Sequence, residues 1–275
     1  MKTIIVATDF SATATNAAKY AVDLGFTVKA NILLLHVYQV PVVYQEIPLA
    51  MTEVSIRENA HEQMAAFKHE LVASARGEIS IDTDVRIGQF FSELDAVCQD
   101  IRPYAVVMGC QGSTEVEHLL FGSHAVHAMK NLNWPLITVP REVSFSSIKK
   151  IGLACDFDHV MDVLPVNDIK RMIQDFGAQL HILNTARQDE YNPDIVYLSG
   201  MLTRMFSPVV PQFHFISSTN IDDGIIYFAE ESNIDLLIVV PKPHGLLYKL
   251  IHKSHTKQLV LHSHVPVMAL HHYTF

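Results

Sequence analysis

The sequence predicts an α/β chain built twice: two tandem copies of a five-stranded parallel open sheet flanked by helices, packed together like the subunits of a dimer. Three observations carry this expectation. Short apolar, β-branched runs alternate with segments of helical periodicity along the whole chain. The series restarts near Lys149 with the same landmarks in the same order. In the first copy the fourth run stops at Gly109 and opens a glycine-bearing loop, at the end of a strand where open α/β sheets bind their ligands.

Taken in order, Thr3–Ala7 is a continuous apolar run that fits a strand buried on both faces, and Asp9 ends it. Ser11 is placed to cap the next helix, because its hydroxyl accepts an orphan backbone N–H. Ala14, Ala17, Ala18, Ala21, Val22 and Leu24 fall at helical spacing, and Gly25 predicts the stop. Asn31–Val37 is a second apolar run, which completes a right-handed βαβ unit. Residues 38–52 are irregular, with Pro41 and Pro48 as breakers. The pattern then predicts a helix over Glu53–Ala75, a strand over Ser80–Ile87 and a turn at Gly88. Phe91, Leu94, Val97 and Ile101 mark a helix that Pro103 ends. Ala105–Met108 is the fourth strand, residues 123–131 a helix and Pro135–Pro140 the fifth strand.

The second series matches the first. Lys149–Asp156 echoes Lys2–Asp9, and Ala178–Asn184 echoes Ala30–His36. Asp235–Val240 echoes Tyr104–Met108, and Val265–Met268 echoes Trp134–Ile137. Two copies are therefore expected at residues 1–143 and 147–275, with a polar linker near Arg141–Ser147. Residues 189–212 predict a loop-and-helix excursion between the second and third strands of the second copy. The last strands, 135–139 and 266–270, are expected to join the halves, which also removes two exposed sheet edges.

Composition narrows the functions. The 275 residues carry a formal net charge of −9 and scattered Lys and Arg, which argues against a nucleic-acid face. No apolar stretch reaches the ~18 residues of a membrane span, and no signal peptide is evident, so a soluble cytoplasmic protein is expected. Three cysteines without a CxxC suggest neither a disulfide framework nor a thiolate metal site. There is no GxSxG elbow, complete P-loop or evident triad, and no compelling base, so no catalytic residue is assigned.

The chemistry concentrates in Gly109, Gly112, Gly122 and Ser123. Glycine at 109 lets backbone approach a ligand, and Gly112 admits a turn at positive φ. Ser123 offers an N–H and a hydroxyl to a phosphate at a helix start. Asp9, an acceptor-only carboxylate at a strand end, would repel phosphate and suits a ribose hydroxyl or an adenine amine.

These residues resemble the universal stress protein family in its tandem form, across nearly all of both halves. The ATP-binding signature of that family is a glycine, two residues, a glycine, nine residues, then glycine and Ser or Thr. It is met by Gly109, Gly112, Gly122 and Ser123. The family's aspartate after the first strand is matched by Thr8-Asp9, and its adenine contact after the second strand by Val37. The resemblance implies a Rossmann-like, adenine nucleotide α-hydrolase-like fold and a role in stress response through nucleotide-coupled interaction with other proteins. It also implies an ATP or AMP site, with magnesium an option, at Ala7, Thr8, Asp9, Val37, Met108, Gly109, Gly112, Gly122, Ser123 and His124. Family members usually dimerise, so a homodimer is a further option beside the internal pseudo-dimer. In this chain Gln111 replaces a frequent histidine, and His124 stands where a small aliphatic residue is common.

Copy two departs further. Pro241-Lys242-Pro243-His244-Gly245 replaces the loop, with Pro241 and His244 read in the places of the first two glycines, and Lys253 in that of the third. Only Asp156 and Ser254 keep their types, so this half is expected to be degenerate. Two alternatives stay open. One is slow ATP hydrolysis, for which Glu115 and Glu117 are the nearest acids. The other is a scaffold whose late histidines (His244, His252, His255, His262, His264, His271 and His272) and lysines (Lys242, Lys249, Lys253 and Lys257) bind metal, an anion or a lipid. Cys110 is read as a small filler, with oxidation sensing as the option if its thiol is exposed.

Overall fold

The computed structural model describes residues 1–40, 49–74, 79–110, 121–155, 164–184, 193–218, 220–241, 259 and 263–271. The first half runs β1 (Lys2–Ala7), α1 (Ala12–Val28), β2 (Ala30–Tyr38), α2 (Leu49–Ser74), β3 (Ile81–Ile87), α3 (Phe90–Ile101), β4 (Ala105–Cys110), α4 (Phe121–Asn131) and β5 (Leu136–Pro140). The second runs β6 (Lys150–Ala154), α5 (Val166–Phe176), β7 (Gln179–Asn184), α6 (Pro193–Phe206), β8 (Gln212–Phe215), α7 (Ile221–Glu231), β9 (Leu236–Val239) and β10 (Val267–Ala269).

All ten strands form one sheet, in the order β3-β2-β1-β4-β5-β10-β9-β6-β7-β8. Each half contributes five parallel strands, as the apolar runs predict. The halves meet where the sequence places their seam: β5 and β10 pair antiparallel, with Thr138 opposite Val267, Ile137 opposite Met268 and Leu136 opposite Ala269. Thr138, fully buried, also donates its hydroxyl to the Val267 carbonyl at 3.2 Å. The β5 and β10 edges thus satisfy each other's backbone groups.

Alternate strand residues feed two apolar layers. One lies under α1, α2, α5 and α6, through residues such as Ala17, Met64, Phe67, Met172 and Phe206. The other lies under α3, α4 and α7, through Leu94, Val97, Met129 and Ile225. Near-continuous burial along β1, β4, β5 and β9 is what a parallel sheet covered on both faces requires.

One local expectation changes. Gly25 does not end α1: the helix continues to Val28, and Lys29, at φ 55°, closes it by donating its N–H to the Gly25 carbonyl. The glycine instead serves close packing, since a Cβ there would come within 2.9 Å of the Ala30 carbonyl oxygen. The helix expected within residues 189–212 is present as α6, in the place between β7 and β8 that α2 occupies between β2 and β3. The 141–147 linker is tied to the first half, with Asn16 Nδ2 donating to the carbonyls of Pro140 and Val143 and Phe145 packing edge-on against Tyr20. A second tie between the halves is Lys2 Nζ to Asp175 of α5, at 2.7 Å.

Candidate functional site

The strand order dictates where a ligand belongs. From β1 the chain crosses to β2 and β3 on one side; from β3 it returns to β4, on the other side of β1, and goes on to β5. The connections leaving β1 and β4 therefore run in opposite directions, which opens a crevice outside the carboxyl ends of these adjacent strands. Asp9 follows β1 and Gly109-Cys110 closes β4, so the topology brings the two separated signals to this one switch point.

The β1–α1 turn is tightly specified. The Thr8 N–H donates to the Leu35 carbonyl at 2.9 Å, and Thr8 Oγ1 accepts the Phe10 N–H at 3.0 Å. Asp9 Oδ1 accepts the Ser11 N–H at 3.0 Å, which folds the carboxylate into a local turn. Ser11, as expected, caps α1 by accepting from the Ala14 N–H at 3.2 Å. Phe10 sits at φ 64°, a left-handed conformation uncommon for a bulky residue. Its ring packs 4.4 Å from the His36 ring and edge-on to Phe67. Ala7 and Thr8 are buried while Asp9 is exposed.

Val37, on β2, is partly buried against the apolar layer beneath α3 and α4. Met108 is buried in the same layer. Gly109 has a packing reason as well: a Cβ there would lie 2.7 Å from the Thr13 carbonyl oxygen, so the glycine lets the first turn of α1 sit on β4. Cys110 is buried, and burial pushes its thiol up to about 12, against a smaller lowering by the Thr138 hydroxyl. That removes the exposed-thiol option, because the thiolate is the reactive form.

Gly122 and Ser123 lie in the first turn of α4. His124 is exposed, but its ring lies parallel to Phe90 of α3, with centroids 5.0 Å apart and planes within 4°, and edge-on to Phe91. Gln111, Gly112, Glu115 and Glu117 lie outside the described residues.

The second half repeats the frame with one revision. Thr8 and Cys155 occupy equivalent positions, each N–H bonded at 2.9 Å to the second strand, at Leu35 and Leu183. Ile4 pairs with Ala105 and Ile151 with Leu236. Counting along these strands sets Val240, not Pro241, at the place of Gly109, and Pro241 at that of Cys110. The glycine signature then reads Val240, Pro243, Lys253 and Ser254 with its spacing intact. Pro243, Lys253, Ser254 and Asp156 lie outside the described residues, as do Lys242, His244, Lys249, His252, His255, Lys257, His262 and His272. Among the described residues no group of three or more His, Cys, Asp or Glu is arranged to hold a metal.

An unexpected pair lies at the far edge of the sheet. His181 Nδ1 and His214 Nε2, on β7 and β8, are 3.0 Å apart, and burial lowers the pKa of both rings from the ordinary 6.5. The positive charge of Lys150 adds to the lowering at His181. The sequence reading missed this pair because the two residues are far apart in the chain.

The universal stress protein family matches residues 1–140 and 159–271. The chain belongs to this family. No curated protein matches it. Among solved structures, a universal stress protein from Archaeoglobus fulgidus DSM 4304 superposes with a TM-score of 0.74 at 16% identity, covering 98% of this chain and 97% of that one. A functionally unknown protein from Pseudomonas aeruginosa PAO1 gives a TM-score of 0.59 at 11% identity, covering 98% and 92%. A universal stress protein family protein from Arabidopsis thaliana, solved with AMP bound, matches 52% of this chain and 93% of its own, at 16% identity and a TM-score of 0.32. The two near-full-length likenesses establish the tandem fold; each half of this universal stress protein contributes five strands to it. Among the described residues no helix is long and apolar enough to cross a membrane.

Proposed function

We propose that this universal stress protein binds one adenine nucleotide, ATP or AMP, in its first half. It then acts in the stress response by nucleotide-coupled interaction with protein partners. The observation that carries the reading is that Asp9 follows β1 and Gly109 lies on the adjacent β4 at the switch point, while Gly109, Gly112, Gly122 and Ser123 keep the signature's spacing in the sequence. Ala7, Thr8, Val37 and Met108 would line the nucleoside end, with Asp9 accepting from a hydroxyl or the adenine amine. The glycine loop and the start of α4 would receive the phosphates, accompanied by magnesium when the ligand is ATP. His124 would have to leave the Phe90 ring to reach a phosphate. The second half, with Val240 and Pro243 in the glycine positions, would serve as a structural partner.

Isothermal titration with ATP and with AMP, on the wild type and on Gly112→Val, tests this. Saturable heat in the wild type and its loss in the variant are expected. No heat with either nucleotide at millimolar concentration sinks the reading, and unchanged binding by the variant moves the site elsewhere.

A further inference from the structure

Each half closes its first strand with the same kind of bond, made by a different residue. In the first half the His36 ring Nδ1 lies 2.8 Å from the Thr8 carbonyl oxygen. A carbonyl only accepts, so this nitrogen carries the proton. In the second half Asn184 Nδ2 donates to the Cys155 carbonyl at 3.0 Å. The register makes the two pairs equivalent, since Ala7 lies opposite Leu35 and Ala154 opposite Leu183, with Thr8, His36, Cys155 and Asn184 next in line. A donor has therefore been kept at this place while the residue type and the loop beyond it diverged. The retained property is donation to that carbonyl, not the imidazole itself.

The bond acts on one peptide. The Thr8 carbonyl belongs to the amide that also carries the Asp9 N–H, so fixing the carbonyl fixes the direction in which the chain enters Asp9. The bonds from Phe10 to Thr8 Oγ1 and from Ser11 to Asp9 Oδ1 lie within the turn, whereas His36 reaches it from a neighbouring strand. The His36 ring is itself held, 4.4 Å from Phe10 and stacked 6.4 Å from Tyr38. It thus locks the Thr8–Asp9 peptide to β2 and lets the Phe10 ring rest on it.

We propose that His36 is a positioning residue for the first-half ligand site, orienting Asp9 through the Thr8 carbonyl. This role rests on the adenine-nucleotide reading given above. It makes no demand on the charge of the ring.

Wild type, His36→Asn, His36→Leu and Asn184→Leu are compared by titration with ATP, by Tm and by amide hydrogen exchange. His36→Asn copies the second half's donor and binds ATP within about twofold of wild type. His36→Leu deletes the bond and binds about tenfold more weakly, with faster exchange at the Phe10 and Ser11 amides. Asn184→Leu deletes the matching bond, lowers Tm similarly and leaves ATP affinity unchanged, which separates positioning from a general loss of stability. If His36→Leu does not fold, His36→Ser takes its place, its hydroxyl being too short to span the strands. Wild-type-like binding by both His36 variants overturns the proposal, as does binding by His36→Asn as weak as that by His36→Leu. If the wild type itself gives no heat with ATP, the nucleotide reading fails and exchange decides the role of His36. Protection at Phe10 and Ser11 lost in His36→Leu but kept in His36→Asn supports it; protection unchanged in both overturns it.

Discussion

The two halves set one strand frame beside two different loop sequences. Both carry five parallel strands in the same order, with the same reversal of strand order beside the first strand and the same donor-to-carbonyl tie at its end. They differ at the end of the fourth strand, where one has Gly109 and the other Val240. In the first half the missing Cβ lets α1 come within van der Waals contact of β4; the second half is built around a side chain at that place. The framework is constrained by packing and backbone bonding, which both halves need. Beyond it the sequences part, and only the first half carries the glycine signature.

The largest expected effect breaks this contrast directly. Gly109→Ala places a Cβ 2.7 Å from the Thr13 carbonyl oxygen, which a flexible side chain cannot relieve because the obstacle is backbone. We expect a loss of about 2–3 kcal/mol in denaturant unfolding. Val240→Ala, at the equivalent place, should cost about 1 kcal/mol. Equal effects would mean that the two fourth strands meet their helices in the same way.

Acid should weaken the second half through its histidine pair. The folded pKa values of His181 and His214 lie below the ordinary 6.5, so in the window beneath 6.5 the unfolded chain holds more protons than the folded one. Their contribution is complete above pH 6.5 and is lost as pH falls through that window. The bond between the rings deepens the effect. Any singly protonated form that keeps it must place hydrogen on His181 Nε2, which is buried with no hydrogen-bond partner among the described residues. Urea unfolding from pH 7.5 to 5 should show stability falling with pH, and His181→Phe/His214→Phe should flatten the slope. A residual slope of the same sign is expected from His271, whose pKa burial also lowers. An unchanged slope in the double variant would contradict the account.

Smaller effects sit at the seam. Thr138→Val removes the buried bond to the Val267 carbonyl and should cost about 1 kcal/mol. Lys2→Met removes the partly exposed link to Asp175, with side chains 34% and 22% exposed, and should cost under about 1 kcal/mol, less in high salt. A larger loss in the second variant than in the first would mean that α5, rather than the β5–β10 ladder, holds the halves together.

Much of the frame was legible because a parallel sheet writes itself into sequence. Val6, Leu34, Val107 and Ile137 sit in apolar runs that have no other good solution than a strand buried on both faces. The duplication was equally visible, and it located the seam at β5 and β10. What escaped the sequence depends on contacts across space. Gly25 looks like punctuation and Gly109 like ligand clearance, and the sequence does not tell that at both another backbone comes close. The one-residue register between Val240 and Pro241 needed the strand pairing to fix it. His36 looked like one more position in an apolar strand. A clue was present, since the aligned residue Asn184 is also polar at the end of an apolar run, but its meaning required the carbonyl it faces.

Whether the first half alone binds the nucleotide can be read by photo-crosslinking with an azido-adenine nucleotide, followed by peptide mapping. Label is expected only in peptides within residues 1–140, competed by unlabelled ATP and lost in Gly112→Val. Competed label in peptides of the second half, or label that survives the Gly112 substitution, would contradict it.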